Sequence, residues 1–349
     1  MFRLPDRLLR ALGWRHGGAL ESELLKLRDY SESPAFRTLF VILMNTYESS
    51  PSWHRYRHLL EQEFGVRIQR RPVECWQTVR GHEVHIDDWR PEGAARGTVI
   101  LVHGGGGNGR VLAPLADVAC GLGWRVLAPD LPGYGLTHPA STFDWDYAEW
   151  PAVVAALADE AEGPVVLMGL SVGGVTAVLA ARAAGDVRGV IVTTLLDMGD
   201  PAVFARAARW RWLGVASLLG FRWMPFVVDR LQLPLWLAAP MDKMSGNAAM
   251  RDYFTTDPLL GRLRVPSRFF RTLHACKVGR IELRCPLLLA HPGADLWTPT
   301  RLSLPAFERV DSPKRLRELS NGTHLPLEQP ARDELRQEVS DFLASISEC

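Results

Sequence analysis

Hydrophobic and polar positions fall into three regimes along the chain. Residues 1 to about 70 mix Leu, Arg and Glu with no strand-length apolar run, and predict a helical, charged N-terminal extension, 1–70. From "VECWQTV" onward, short β-rich runs alternate with helix-like segments, as in a parallel sheet covered by helices. "VECWQTV" and "EVHIDDW" come first. "TVILVHG", a helix near Val111 to Leu122, "WRVLAPD", a helix-like segment around Tyr147 to Asp159, "PVVLMG", a helix opening at Val172 and "VRGVIVTTLLD" follow. Several of these runs are apolar on both faces, which a strand between two helix layers requires. The alternation stops between Met198 and Gly279, in a Trp- and Leu-rich helical stretch broken by Pro225, Pro234, Pro240, Pro258 and Pro266. It resumes with "CPLLLAHPGAD", a helix after Pro299, "KRLRELSNG" and a closing helix from Ala331 to about Ser345. The pattern predicts an α/β core, 71–197 and 280–349, with a helical cap, 198–279, over the carboxyl edge of the sheet, where open parallel sheets place their sites.

Composition narrows this picture without redirecting it. Apolar residues make up 47% and charged residues 23% of 349, enough for a sizeable core. Forty basic residues against 39 acidic ones leave no net field, which argues against a nucleic-acid partner. Cys75, Cys120, Cys276, Cys285 and Cys349 are scattered, odd in number and form no C-x-x-C. That argues against a disulfide framework and a zinc knuckle and favours a reducing, cytoplasmic compartment. Arg interrupts the first twenty residues too often for a signal peptide. Phe2, Leu4, Leu8, Leu9 and Leu12 could instead form one side of a basic amphipathic helix, either docked on the protein's own core or touching a membrane surface. The most apolar stretch, Trp212 to Val228, contains Arg222 and Pro225 and is too short to span a bilayer.

Chemistry concentrates in "VVLMGLSVGGVTAVLAA". It sets G-x-S-x-G (Gly169, Ser171, Gly173) between a buried strand and a helix, where the turn is so sharp that side chains at the flanking glycines would collide with their neighbours. A serine hydroxyl there needs a base to take its proton, and the base needs an orienting acid. "LLLAHPGADLWTP" places Asp295 in the loop after a buried strand, and "LRELSNGTHLPLEQP" places His324 after the next one. The order Ser, Asp, His is the one such a strand–turn–helix nucleophile requires. Asp197, after "VTTLL", is the rival acid, since it too ends a strand; His291 is expected to be a packed, hydrogen-bonded histidine.

"VILVHGGGGNGR" admits two readings. Gly104, Gly106 and Gly109 spell G-x-G-x-x-G, with Asp130 where a dinucleotide fold would hold its ribose. That reading leaves Ser171, Asp295 and His324 unexplained and needs these glycines at the first strand, whereas two strand-like runs precede them. A phosphate loop fails because Arg110 and Val111 stand where Lys and Ser/Thr belong. The loop therefore faces an oxyanion. Val172 should donate one N–H and Gly105, with Gly104 next, the other; His103 is expected to brace the loop.

From about Val73 to Ser345 the chain resembles an α/β-hydrolase with a cap inserted before the acid-bearing strand. "DLPGYGLT" is similar to the turn after the following strand in many of these enzymes. "HGGGG", "GLSVGG", "HPGADLWTP" and "THLPLEQP" are most similar to bacterial esterases of the lysophospholipase and monoacylglycerol-lipase type. The resemblance implies the α/β-hydrolase fold: a mostly parallel central sheet flanked by helices. It also implies Ser171 as nucleophile, Asp295 as acid and His324 as base. The expected activity is hydrolysis of a small-molecule carboxylic ester through an acyl-enzyme, leaning to apolar acyl-chain esters such as a lysophospholipid or monoglyceride, with no metal or organic cofactor. Acyltransferases, lyases and carbon–carbon hydrolases share the same triad, and a non-catalytic scaffold would ordinarily have lost a member of it.

Overall fold

The computed structural model describes residues 46–347; the amphipathic segment Phe2 to Leu12 lies outside the described residues. The compact unit begins at Tyr47. Helix α1 (Pro51–Phe64) starts where Ser50 caps Ser52 N–H and Pro51 presets the first turn. It stops at Gly65, a left-handed residue whose N–H returns to Leu60 and Glu61. Its Trp53, Tyr56 and Leu60 are buried.

The central sheet begins with an antiparallel hairpin, β1 (Val73–Val79) and β2 (His82–Trp89), in which Val73 pairs with Asp88 and Val79 with His82. The alternating segments are β3 (Thr98–Val102), α2 (Ala113–Gly121), β4 (Arg125–Pro129), α3 (Glu149–Glu160), β5 (Val165–Gly169), α4 (Val172–Ala183) and β6 (Val187–Val192). An insertion then carries α5 (Pro201–Ala207), α6 (Arg211–Trp223), α7 (Pro225–Val228), β7 (Gln232–Pro234), α8 (Leu235–Ala238), α9 (Ala248–Thr256), β8 (Arg264–Pro266) and α10 (Ser267–Ala275). The chain closes through β9 (Ile281–Glu282), β10 (Leu287–Pro292), α11 (Leu304–Glu308), β11 (Val310–Asp311), β12 (Lys314–Leu319) and α12 (Ala331–Ser347).

The eight-stranded sheet has the order β1-β2-β4-β3-β5-β6-β10-β12, parallel from β4 onward. Period-two alternation divides each central strand between two apolar layers. Ile100, Val102 and Leu167 face one with α3 and α4, while Val99, Leu101, Val166 and Met168 face the other with α1, α2 and α12. Burial on both faces is why these strands read as continuous apolar runs. The chain leaves β3 for β4 on one side and later returns to β5 on the other. The helices after β3 and β5, α2 and α4, therefore pack on opposite faces, which makes the carboxyl edge at these two strands the topological switch point.

The insertion departs from the all-helical expectation in one respect: β7 and β8 form a short antiparallel ribbon, pairing Gln232 with Pro266 and Pro234 with Arg264. A proline ends each strand and the next residue opens a helix. Proline is tolerated at such edges because it has no N–H to donate to a further ladder.

Candidate active site

The turn between β5 and α4 is shaped by what glycine omits. A Cβ on Gly169 would lie 2.0 Å from the Gly173 carbonyl oxygen, and one on Gly173 would lie 2.1 Å from that of Val102. The strand can therefore turn into the helix within two residues, leaving Ser171 at φ 56°, ψ −128°. A non-glycine residue there stores on the order of 1–3 kcal/mol of strain. The turn is held by Leu170 N–H to Val102 O (3.0 Å), Gly174 N–H to Ser171 O (2.9 Å) and the Thr194 hydroxyl to Ser171 O (3.1 Å). Val172 supplies the first N–H of α4, which a helix leaves without an intrahelical partner.

The loop after β3 approaches this turn closely. A Cβ on Gly104 would stand 2.7 Å from Ser171 Cβ and 3.3 Å from its Oγ, whereas a Cβ on Gly105 would meet nothing within 4 Å. Closeness to the serine thus demands glycine at 104, while Gly105 borders open space. The buried His103 accepts Leu131 N–H at Nε2 (2.9 Å), so its Nδ1 carries the proton and donates to Gly104 O (2.9 Å). It braces the loop, as expected.

Asp295, in the loop after β10, is ringed by donors. Its Oδ1 accepts the N–H groups of Trp297 (2.8 Å) and Thr298 (2.9 Å); its Oδ2 accepts the Thr298 hydroxyl (2.8 Å) and His324 Nδ1 (2.7 Å). Burial works against the charge on Asp295, but His324 and the Thr298 donors outweigh it and hold the carboxyl well below the usual range. With Nδ1 donating, His324 presents its basic lone pair at Nε2. That atom is buried, hydrogen-bonds no described residue, and its ring lies 4.5 Å from the Trp297 ring. The hydrogen bond from Ser171 Oγ is therefore unmade in this state; such contacts commonly tighten only when substrate is bound.

A cavity bordered by Gly105, Ser171, Val172, Trp297 and Thr298 runs beneath the insertion, whose Phe204, Leu213, Phe221, Leu235 and Phe269 make its walls apolar. The insertion is tied to both loops: Trp297 Nε1 donates to Ala207 O (2.8 Å), and Leu325 N–H donates to Met244 O (3.0 Å).

The rival acid is engaged elsewhere, since Arg309 donates to Asp197 Oδ2 at 2.6 Å. His291 is buried, with Nδ1 3.0 Å from Pro292 O. Thr298 and Trp297 escaped the sequence argument. The signal was an aspartate followed two and three residues later by backbone donors, a local turn that aspartate side chains favour. Asp130, which the nucleotide reading assigned to a ribose, is instead buried beneath the β3 loop.

A model of the alpha/beta hydrolase family matches residues 99–334. Human monoglyceride lipase is 27% identical over 221 residues, 59% of this chain and 68% of that protein. Lipase LipV of Mycobacterium tuberculosis is 33% identical over 129 residues, 37% of this chain and 46% of that protein. Among solved structures, the monoacylglycerol lipase of Paleococcus ferrophilus superposes with a TM-score of 0.59 at 22% identity, covering 76% of this chain and 99% of that one.

Proposed function

Because the chain belongs to the alpha/beta hydrolase family, we propose that it hydrolyses carboxylic esters through an acyl-enzyme on Ser171. The observation that carries this reading is the Asp295–His324 pair, which leaves Nε2 as the free base at the same sheet edge as the strained serine. Lipase and esterase relatives support it. Ser171 Oγ attacks the ester carbonyl while His324 Nε2 takes its proton. The N–H groups of Val172 and Gly105, with Gly104 behind them, hold the oxyanion, each contributing about 3 kcal/mol in comparable sites. His324 then protonates the leaving alcohol. Water deacylates the enzyme with the same base, and Asp295 stabilises the imidazolium in both halves. A fluorophosphonate probe should attach to Ser171, as read by peptide mass mapping; folded protein that takes no label would sink the reading.

The apolar cavity favours an acyl-chain ester, and the outer surface suits a substrate drawn from a lipid layer. Helix α6 turns Leu213 and Phe221 toward the cavity and Trp212, Leu219 and Trp223 outward. Trp212 is 66% exposed, Trp223 71% and Phe226 85%. Residues 201–228 contain four Arg and no Asp or Glu. An apolar face flanked by cations fits an anionic membrane surface. Among the described residues no helix is long and apolar enough to cross a membrane. Trp223→Ser with Phe226→Ser should lower partitioning onto phosphatidylglycerol-containing vesicles by about 100-fold in co-sedimentation, two aromatics inserted into the lipid being worth about 3 kcal/mol. Hydrolysis of a short soluble ester should be unchanged.

A further inference from the structure

The loop carrying Gly104 and Gly105 is anchored at both ends. The front anchor is His103; the rear one is a buried charge cluster that the ester chemistry leaves unused. Gly109 N–H donates to Asp130 Oδ1 at 2.7 Å. Arg110 pairs bidentately with Asp87 (2.6 and 2.7 Å), its guanidinium 5.1 Å from the Tyr47 ring and 4.8 Å from that of Trp53. Asp130 Oδ2 accepts Leu136 N–H (2.7 Å) and the Tyr47 hydroxyl (2.8 Å), and His85 Nδ1 lies 3.1 Å from it. The other His85 nitrogen, Nε2, is 3.1 Å from Glu74 Oε2 and 4.0 Å from Asp87 Oδ1. His85, Asp87 and Asp130 are fully buried.

Asp87 and Glu74 face the Arg110 guanidinium at 2.6 and 3.2 Å, with Glu48 3.8 Å away, whereas the charged neighbour of Asp130 is the His85 ring. Nε2 of that ring is hydrogen-bonded to Glu74, while Nδ1, 3.1 Å from Asp130 Oδ2, is not aligned to bond it and has no other partner among the described residues. A neutral imidazole carries only one N–H; the second proton is favoured by the carboxylates packed around the ring. Burial opposes the charge on His85, yet Asp130, Glu74 and Asp87 outweigh it and raise its pKa to about 10. Burial likewise pushes Asp130 up, but the cationic His85 and Leu136 N–H bring it below its ordinary value.

We propose that His85 is a positioning residue: a buried imidazolium that keeps Asp130 anionic and seated, so that Asp130 fixes the rear of the loop presenting the oxyanion donors to Ser171. This rests on the ester-hydrolase reading. Without the cation, Asp130 would take up a proton or shift, releasing Gly109, and the donors would leave the narrow distance range in which they stabilise an oxyanion. Because those donors act in the transition state, the loss falls on kcat rather than KM.

Two full-length variants test this. His85→Gln should lower kcat on a p-nitrophenyl ester by about 30-fold, a fraction of what removing a donor outright costs, with KM within about 2-fold. Tyr47→Phe removes only one hydrogen bond to Asp130 and should show the same split at about 5-fold. On the matching thionoester, whose sulfur accepts hydrogen bonds poorly, both variants should approach wild type. Independently of catalysis, ¹⁵N NMR at pH 8 should find both His85 nitrogens protonated. The stabilisation from His85 is complete below about pH 6.5 and lost as pH rises through about 10, so wild-type stability should fall more steeply than that of His85→Gln between those values. A neutral His85 at pH 8, wild-type kcat in both variants, or equal losses on ester and thionoester would overturn the proposal. A wild-type chain that cleaves no ester counts against the preceding reading, and the NMR result then decides the charge state argued here.

Discussion

Ser171→Ala is expected to lower kcat for p-nitrophenyl ester hydrolysis by about 10⁵- to 10⁶-fold with KM little changed, and to abolish fluorophosphonate labelling. The hydroxyl is the atom that would form the acyl-enzyme, and no neighbouring group replaces it. Alanine also leaves the packing of the turn intact. Gly169 and Gly173 still fit against their neighbours, the backbone oxygen of residue 171 still accepts from Thr194, and α4 still presents its free N–H groups. The surviving oxyanion donors should therefore leave a residual rate above that in water. Initial rates on purified, folded variant protein make the measurement. A kcat within tenfold of wild type would remove Ser171 from the mechanism.

Asp295→Asn should cost about 10³- to 10⁴-fold in kcat, whereas Asp197→Asn should stay within about 3-fold. The hydrogen bonds give the reason. Two backbone N–H groups, from Trp297 and Thr298, converge on Oδ1 of Asp295. In asparagine they would hold the carbonyl oxygen at that position and turn the amide NH₂ toward His324. Nδ1 of His324 would then have to accept instead of donate, moving the ring proton to Nε2. That removes the lone pair needed to take the serine proton. Asp197 binds Arg309 at a half-exposed site, and neutralising it weakens one ion pair worth about 1 kcal/mol or less. Side-by-side kcat values at one pH decide between the two acids; the larger loss at Asp197 would reverse the assignment.

Strands β3 to β6 and β10 were legible because they are buried on both faces and read as apolar runs whatever their partners. The bend at Ser171 was legible for a related reason: all its steric requirements lie within five consecutive residues. The β7–β8 ribbon was not, since three residues ending in proline carry no usable periodicity and pair only across the insertion. Thr298 escaped notice because a threonine acquires meaning there only once Asp295 and His324 stand on either side of it.

By itself, then, the sequence determined the properties set by near neighbours along the chain: which segments are strands, where the chain must turn sharply, and which residue types bear chemistry. Tertiary structure alone decided which strand-end aspartate faces His324, which glycine touches the serine, and that Asp130 joins Tyr47 and His85 beneath the loop. Those pairings span 29 residues for Asp295–His324 and 83 for Tyr47–Asp130. Such contacts depend on how strands are ordered and how far each loop reaches, and only the assembled sheet specifies that.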